Sequence, residues 1–394
     1  MDKRCCRQRG GACPGDLPKP SFAPEGVTAV QEVVPPPDLD PTRHGEATRD
    51  FEGFLRNRVV GQDAAIEAVT EIYQMFLVGM TPPDRPIGNL LFLGPTGSGK
   101  TYLVEVVAEA LFGNRHAFIK VDCAEFQEHH EIAKLIGSPP GYIGHLQTQP
   151  LLNQESIDHW HTENLKLTLL LFDEIEKASE ALWQLLLGIL DKGTLTLGDN
   201  SHVDLSHCLI FLTSNLGASQ MSDLVQGGMG FFPHDAIGDK DLDAKIERTA
   251  SEAARKKFSP EFLNRLDKVV VFRTLRPEQL EQVLELELAK VQKRIMDAIG
   301  QSHFTFHCVP EVKKWLLKEG TDPKYGARHL KRVIERRIVY ALANLVATRQ
   351  ISTGDCIDIT LKADGTLAFT KATTAAGKPS AAGEEVRHEE NSGG

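Results

Sequence analysis

The residues best placed to do chemistry are Gly94, Pro95, Thr96, Gly97, Ser98, Gly99, Lys100 and Thr101, which spell GPTGSGKT. They match G-x-x-x-x-G-K-[ST] and lie where that pattern has meaning, after the short apolar run Asn89 to Leu93 and before a helical-period segment from Thr101 to Phe112. The glycines let backbone N–H groups converge on phosphate oxygens, and the following helix adds the positive end of its dipole. Lys100 neutralises β- and γ-phosphates and the Thr101 hydroxyl ligates Mg²⁺. A second element follows at Leu169 to Glu174, an apolar strand that delivers two carboxylates. Asp173 would hold Mg²⁺ through water, and Glu174 would orient and deprotonate an attacking water, the arrangement of a hydrolase rather than a kinase. A strand ending in Asp-Glu is commonly just a solvated strand end. Its pairing with the upstream glycine loop is what gives it a chemical reading.

Other chemistries are excluded. No H-E-x-x-H zinc signature occurs, and His129-His130-Glu131 and His159-Trp160-His161 lack that spacing, so the chain is not expected to be a peptidase. Cys5, Cys6 and Cys13 lie close enough to share a metal, yet no matching Cys/His pair follows at zinc-finger spacing. The remaining cysteines, Cys123, Cys208, Cys308 and Cys356, sit far apart in apolar segments and read as buried free thiols. With 44 Lys+Arg against 54 Asp+Glu the net charge is −10, which argues against a nonspecific grip on nucleic acid. No run approaches the roughly 18 apolar residues of a spanning helix, and nothing near the N-terminus reads as a secretory h-region, so no membrane association and a cytoplasmic setting are expected.

The elements that must position this chemistry read as an α/β fold. The Asp50 to Met80 segment has helical spacing, with Ile66, Val69, Ile72 and Phe76 on one face. Strands are expected at 89–93, 117–122, 167–173 and 208–213, with helices at 101–112 and 179–190 between them. That alternation means a parallel sheet flanked by helices. After Arg273 the texture changes to helices over 277–295 and 328–347, closed by a β ribbon at 356–362 and 366–370 around Asp364-Gly365. The expected organisation is a Gly/Pro-rich disordered tail over 1–45, a large domain over 46–273, a smaller, mostly helical domain over 274–371, and a second disordered tail over 372–394.

Several further segments carry a resemblance. VVGQDAAIEAV at 59–69, GSPPGYIG at 137–144, FDEIEKA at 172–178, LTSNLGA at 212–218, FSPEFLNRLD at 258–267 and YGARHLKR at 325–332 together resemble the AAA+ ATPases of the Clp family. The closest likeness is to the second ATPase module of ClpB- and ClpC-type unfoldases, and it covers roughly residues 50 to 370. The resemblance implies that ATP and Mg²⁺ are the ligands. It also implies that Val59 and Val60 line the adenine site, that Asn215 is the sensor positioning the attacking water, and that Arg328 is a second sensor on the small domain. Arg265 resembles an arginine finger reaching a neighbouring subunit, which implies a homo-hexameric ring with ATP at the interfaces.

Gly141-Tyr142-Ile143-Gly144 resembles the pore loop that grips polypeptide, since an aromatic flanked by glycines can press on any chain without reading its sequence. The stretch 194–205 resembles a second pore loop. Met229-Gly230-Phe231 falls where ClpC- and ClpX-type ATPases carry an aliphatic-Gly-Phe tripeptide that docks a barrel peptidase; a loop tucking its aromatics under the ring is the alternative. The chain departs from the family after Gly144, where His145-Leu146-Gln147-Thr148-Gln149 replaces an acidic, glycine-rich continuation. It also shows no second ATPase module, coiled-coil middle domain or folded N-terminal substrate domain, which bears on disaggregation of the ClpB type. The expected activity is ATP-driven unfolding or remodelling of unfolded or misfolded polypeptides. The alternatives are a nucleotide-switched ring scaffold or regulatory subunit for a partner such as a barrel peptidase, and a nucleic-acid motor, which the acidic charge and uncharged loop disfavour.

Overall fold

The computed structural model describes residues 40–138, 150–218, 220–221, 239–298, 303–322 and 326–372. Three strands, β1 (Gly88–Leu93), β2 (Ile119–Asp122) and β3 (Thr168–Asp173), precede a small antiparallel hairpin, β4 (Thr194–Thr196) with β5 (His202–Asp204). β6 (Cys208–Ser214) and β7 (Lys268–Val271) complete a central sheet of order β2-β3-β6-β1-β7, parallel throughout. The expected parallel sheet is therefore present. β1 and β6 are buried along their whole length, which is why they read as continuous apolar runs rather than alternating ones.

Side chains still alternate between two cores. Leu90 and Phe92 of β1 face one cluster with Leu103 and Val107, whereas Leu91 and Leu93 face another with Leu182 and Leu186. The first cluster is covered by helices α1 (Glu46–Arg56), α2 (Asp63–Leu77) and α3 (Lys100–Phe112); the helix Glu180–Lys192 covers the second. Phe92 contacts Phe211 and Phe272, with ring centroids 5.5 and 4.9 Å apart. Register then sets function: Leu93 pairs with Ser214 and Phe172 with Leu212, so β1, β3 and β6 end together at one sheet edge.

The structure corrects some expectations. The single helical segment read over 50–80 is two helices, broken between Asn57 and Gln62, where Gly61 adopts φ +72°. That break frees Gln62 to span the fold: its amide donates to the carbonyls of Ser98 (3.1 Å) and Arg273 (3.0 Å) and accepts from the Arg273 N–H (3.2 Å). β2 starts at Ile119 rather than Ala117, and β7 and the helix Asp239–Lys257 fall where periodicity gave no element.

The smaller domain packs the helices Pro277–Asp297, Pro310–Gly320 and Ala327–Ile334 around Leu284, Leu316 and Ile338. The helix read over 328–347 is present but interrupted by a π-helical turn, Glu335–Val339, before it resumes as Tyr340–Ala347. The expected ribbon forms from β9 (Cys356–Leu361) and β10 (Leu367–Lys371), and β8 (Thr305–Cys308) adds to β9 in parallel. Among the described residues no helix is long and apolar enough to cross a membrane. Cys123, Cys208 and Cys308 are buried free thiols as expected, while Cys356 is only partly buried. Phe92→Ala should cost about 3–5 kcal/mol, the usual range for emptying a large core site, read as a lower midpoint in chemical denaturation.

Candidate functional site

The glycine loop is shaped by its neighbours. Gly94 has φ +153°, and a Cβ there would lie 2.6 Å from the Phe272 carbonyl oxygen, so β7 and the loop can approach only because this residue is glycine. Gly97 and Gly99 also take positive φ, 80° and 102°. Gly99 caps α3 without any side-chain hydrogen bond, leaving first-turn N–H groups for an anion. Lys100, only 7% exposed, donates to the carbonyl oxygens of Gly94 (2.7 Å) and Pro95 (3.0 Å) and to Asn215 Oδ1 (2.9 Å). Burial pushes its ammonium down to about 8, against the attraction of Glu176, Asp173 and Glu174.

The two carboxylates stand opposite. Asp173 accepts from the Thr213 hydroxyl (2.5 Å) and pairs through its other oxygen with Lys120 (2.7 Å). Burial resists its ionisation, but Lys120 and Thr213 outweigh that and hold it below the usual carboxylate value. Glu174 occupies the left-handed region (φ 56°, ψ 48°), a conformation most residues avoid. Its carboxylate accepts from Asn215 Nδ2 (3.1 Å) and Lys177 Nζ (2.5 Å). Asn215 thus faces Lys100 with its oxygen and Glu174 with its nitrogen, an orientation the charges on either side dictate. Its backbone N–H donates to Glu176 Oε1 (3.0 Å).

Of these groups, Lys100, Lys120, Asp173, Glu174 and Asn215 line one cavity of about 440 Å³. Val59 and Val60 form an apolar wall with Leu275 and Val283, while Lys100, Thr101, Asp173, Glu174 and Asn215 form the polar floor. Arg328 enters from the small domain, at the start of its helix. The preceding Gly326 packs so closely on the loop that an added Cβ would lie 3.0 Å from the Gly97 carbonyl oxygen. The structure therefore gathers Val59, Val60, the 94–101 loop, Asp173, Glu174, Asn215 and Arg328. Arg265 stands apart, does not line the cavity, and pairs with Glu261 (2.9 Å) and Asp191 (3.6 Å).

Gly141, Tyr142, Ile143 and Gly144 lie outside the described residues, as do Met229, Gly230 and Phe231. The stretch 194–205, expected from the resemblance to be a second pore loop, contains the β4–β5 hairpin. Thr101 and Asp173 bring hard oxygen ligands to the same cavity, a set that suits Mg²⁺ completed by phosphate and water. Sequence reasoning missed Lys120, Thr213, Lys177, Glu176 and Gln62. Of these, Thr213, Glu176, Lys177 and Gln62 lay within the recognised segments, but only sheet order and loop closure reveal their partners.

A parallel sheet carrying a phosphate-loop sequence at its C-terminal edge, with a helical domain lining the same cavity, defines the AAA+ class of ATPases. Residues 85–269 match the AAA domain (Cdc48 subfamily), and residues 275–359 match the C-terminal, D2-small domain of ClpB protein. The chain is similar to chaperone protein ClpB 1 of Synechococcus elongatus, 35% identical over 308 residues, covering 78% of this chain and 33% of that protein. It is also similar to chaperone protein ClpB of Meiothermus ruber, 37% identical over 304 residues, covering 77% of this chain and 33% of that one. Among solved structures, the S. cerevisiae Hsp104:casein complex in its extended conformation superposes with a TM-score of 0.69 at 28% identity, covering 83% of this chain and 53% of that chain. The chain belongs to the Clp family of AAA+ ATPases, with the domain pair of a ClpB-type second module. It spans about a third of the length of the curated relatives it matches.

Phosphate at the loop favours charged Lys100, whose value near 8 means that it is already protonated below that pH and must take up a proton on binding above it. Affinity for a fluorescent nucleotide should hardly change between pH 7 and 8, apart from the nucleotide's own titration. It should then weaken by up to about tenfold per pH unit above 8. A flat profile through pH 9.5 would show that Lys100 is not the titrating group.

Proposed function

We propose that this module hydrolyses ATP and couples the hydrolysis to unfolding or remodelling of polypeptides. The observation that carries the reading is the position of Glu174, which reaches the cavity floor and shares Asn215 with Lys100. A protein that used nucleotide only to order a ring for a partner could dispense with a carboxylate there. In the proposed reaction a water held by Glu174 and Asn215 attacks the γ-phosphorus and the bond to the β,γ-bridging oxygen breaks. The water's proton passes to Glu174. Lys100 and Arg328 offset the charge on the phosphates, and Val59 and Val60 hold the base by apolar contact. Mg²⁺, when bound through Thr101 and Asp173, would supply Lewis-acid neutralisation of the phosphate oxygens.

Arg265 is proposed to act in trans, across an interface of a homo-hexameric ring. Its absence from the lining of its own chain's cavity supports that reading, since an arginine that stabilises phosphate charge and does not face its own chain's site would have to face a neighbour's. Tyr142, between Gly141, Ile143 and Gly144, is proposed to grip the substrate chain. Docking of a barrel peptidase through Met229, Gly230 and Phe231 remains the alternative role for the ring, and a cytoplasmic setting fits both.

Glu174→Gln should retain nucleotide binding while lowering steady-state ATP turnover by about 10²–10⁴-fold. Turnover near the wild-type rate would remove Glu174 as the base. An unfolded model polypeptide should stimulate ATP hydrolysis by the unaltered protein, and Tyr142→Ala should abolish that stimulation. Turnover indifferent to every polypeptide offered would move the ring-scaffold reading to the front.

A further inference from the structure

Thr213 was assigned no role by sequence, and it does not line the cavity. It sits on β6, one residue beyond the Phe172–Leu212 register pair, and is 1% exposed. A threonine hydroxyl has one hydrogen to give and lone pairs with which to accept. Here the hydrogen is committed to Asp173 Oδ1, at 2.5 Å. The contact from the Glu174 backbone N–H, at 3.1 Å, is therefore one the same oxygen accepts. One oxygen atom thus links the two consecutive residues to which the proposed metal and proton chemistry is assigned.

The link matters most at Glu174, whose backbone sits at φ 56° and ψ 48° with no glycine to ease it. Such a conformation persists only where the surroundings over-determine it. The Lys177 N–H to Glu174 carbonyl bond (2.9 Å) holds the far side of the residue, and Thr213 holds the near side. Lys177 Nζ and Asn215 then aim the carboxylate. At Asp173, Lys120 fixes one oxygen and Thr213 the other.

Resting on the ATPase reading above, we propose that Thr213 is a positioning residue for hydrolysis. Its hydroxyl keeps the metal-holding carboxylate and the proton-accepting carboxylate in one register. Valine has nearly the same shape but no hydroxyl, so Thr213→Val keeps the packing while removing both bonds. Serine restores the hydroxyl without the methyl group.

The test compares Thr213→Val and Thr213→Ser for kcat, KM for ATP and the Mg²⁺ concentration at half-maximal turnover. Fluorescent nucleotide binding and melting temperature serve as controls of fold. Thr213→Val should lower kcat by about 10–100-fold with KM changed less than about threefold, and should raise the Mg²⁺ requirement. Thr213→Ser should return kcat to within about threefold of the unaltered protein. Retention of full kcat by the valine variant would overturn the proposal, and so would a serine variant as impaired as valine, because packing rather than the hydroxyl would then be at work. If valine prevents folding, Thr213→Cys, a weak donor of similar size, should turn over ATP more slowly than Thr213→Ser; full activity with cysteine would equally overturn the proposal.

Introducing Thr213→Val into Glu174→Gln separates the two readings. With both correct, the valine substitution costs much less kcat there than in the unaltered background. Should Glu174→Gln alone turn over ATP normally, the base assignment fails, while the serine-versus-valine difference in Mg²⁺ requirement still decides the Asp173 half of the proposal.

Discussion

One carboxamide, that of Asn215, lies between a buried ammonium and a carboxylate, and the order of the sheet exists in a form that makes this contact available. β6 runs between β3 and β1, so the residue at its end has the Asp173-Glu174 strand on one side and the glycine loop on the other. Moving β6 one place in the sheet would separate Asn215 from one or other of these two partners. Burying an ammonium is costly unless its protons are matched, and the loop carbonyls with Asn215 match them. The apolar strands therefore do more than fill a core. Their exclusion of water makes these polar contacts stronger than the same contacts would be at a surface.

The periphery of the site follows from that arrangement. Glu176 holds the Asn215 backbone while contributing the largest attraction for the Lys100 charge. Gln62 ties the break after α1 to the glycine loop and to Arg273, the last residue before the small domain. The apolar wall of Val59 and Val60 is thereby fixed relative to the phosphate end, which sets the span a nucleotide must fit.

The parts legible in the sequence were those whose chemistry is local. The 94–101 loop could be read because its glycines, lysine and threonine act through their own backbone turn and helix. The large-domain strands 89–93, 167–173 and 208–213 were visible because burial on both faces leaves continuous apolar runs. Thr213 and Lys120 were invisible as functional groups because their partner, Asp173, is distant along the chain and meets them only through sheet register. β7 escaped notice because it is a four-residue edge strand with one fully buried position, too short for a period to show. The break at 57–62 was hidden because the apolar residues on either side keep helical spacing across it.

Gly326 gives the small domain a mechanical character. Its backbone rests against Gly97, and from it a helix, a π-turn and a second helix follow one another directly to Ala347. At about 1.5 Å per residue that rod is roughly 30 Å long. A contact between two glycine backbones has no side-chain rotamer to absorb a change of shape, so the seating of the rod, and of the small-domain core built on its Leu330, Val333 and Ile338, is tied directly to the loop.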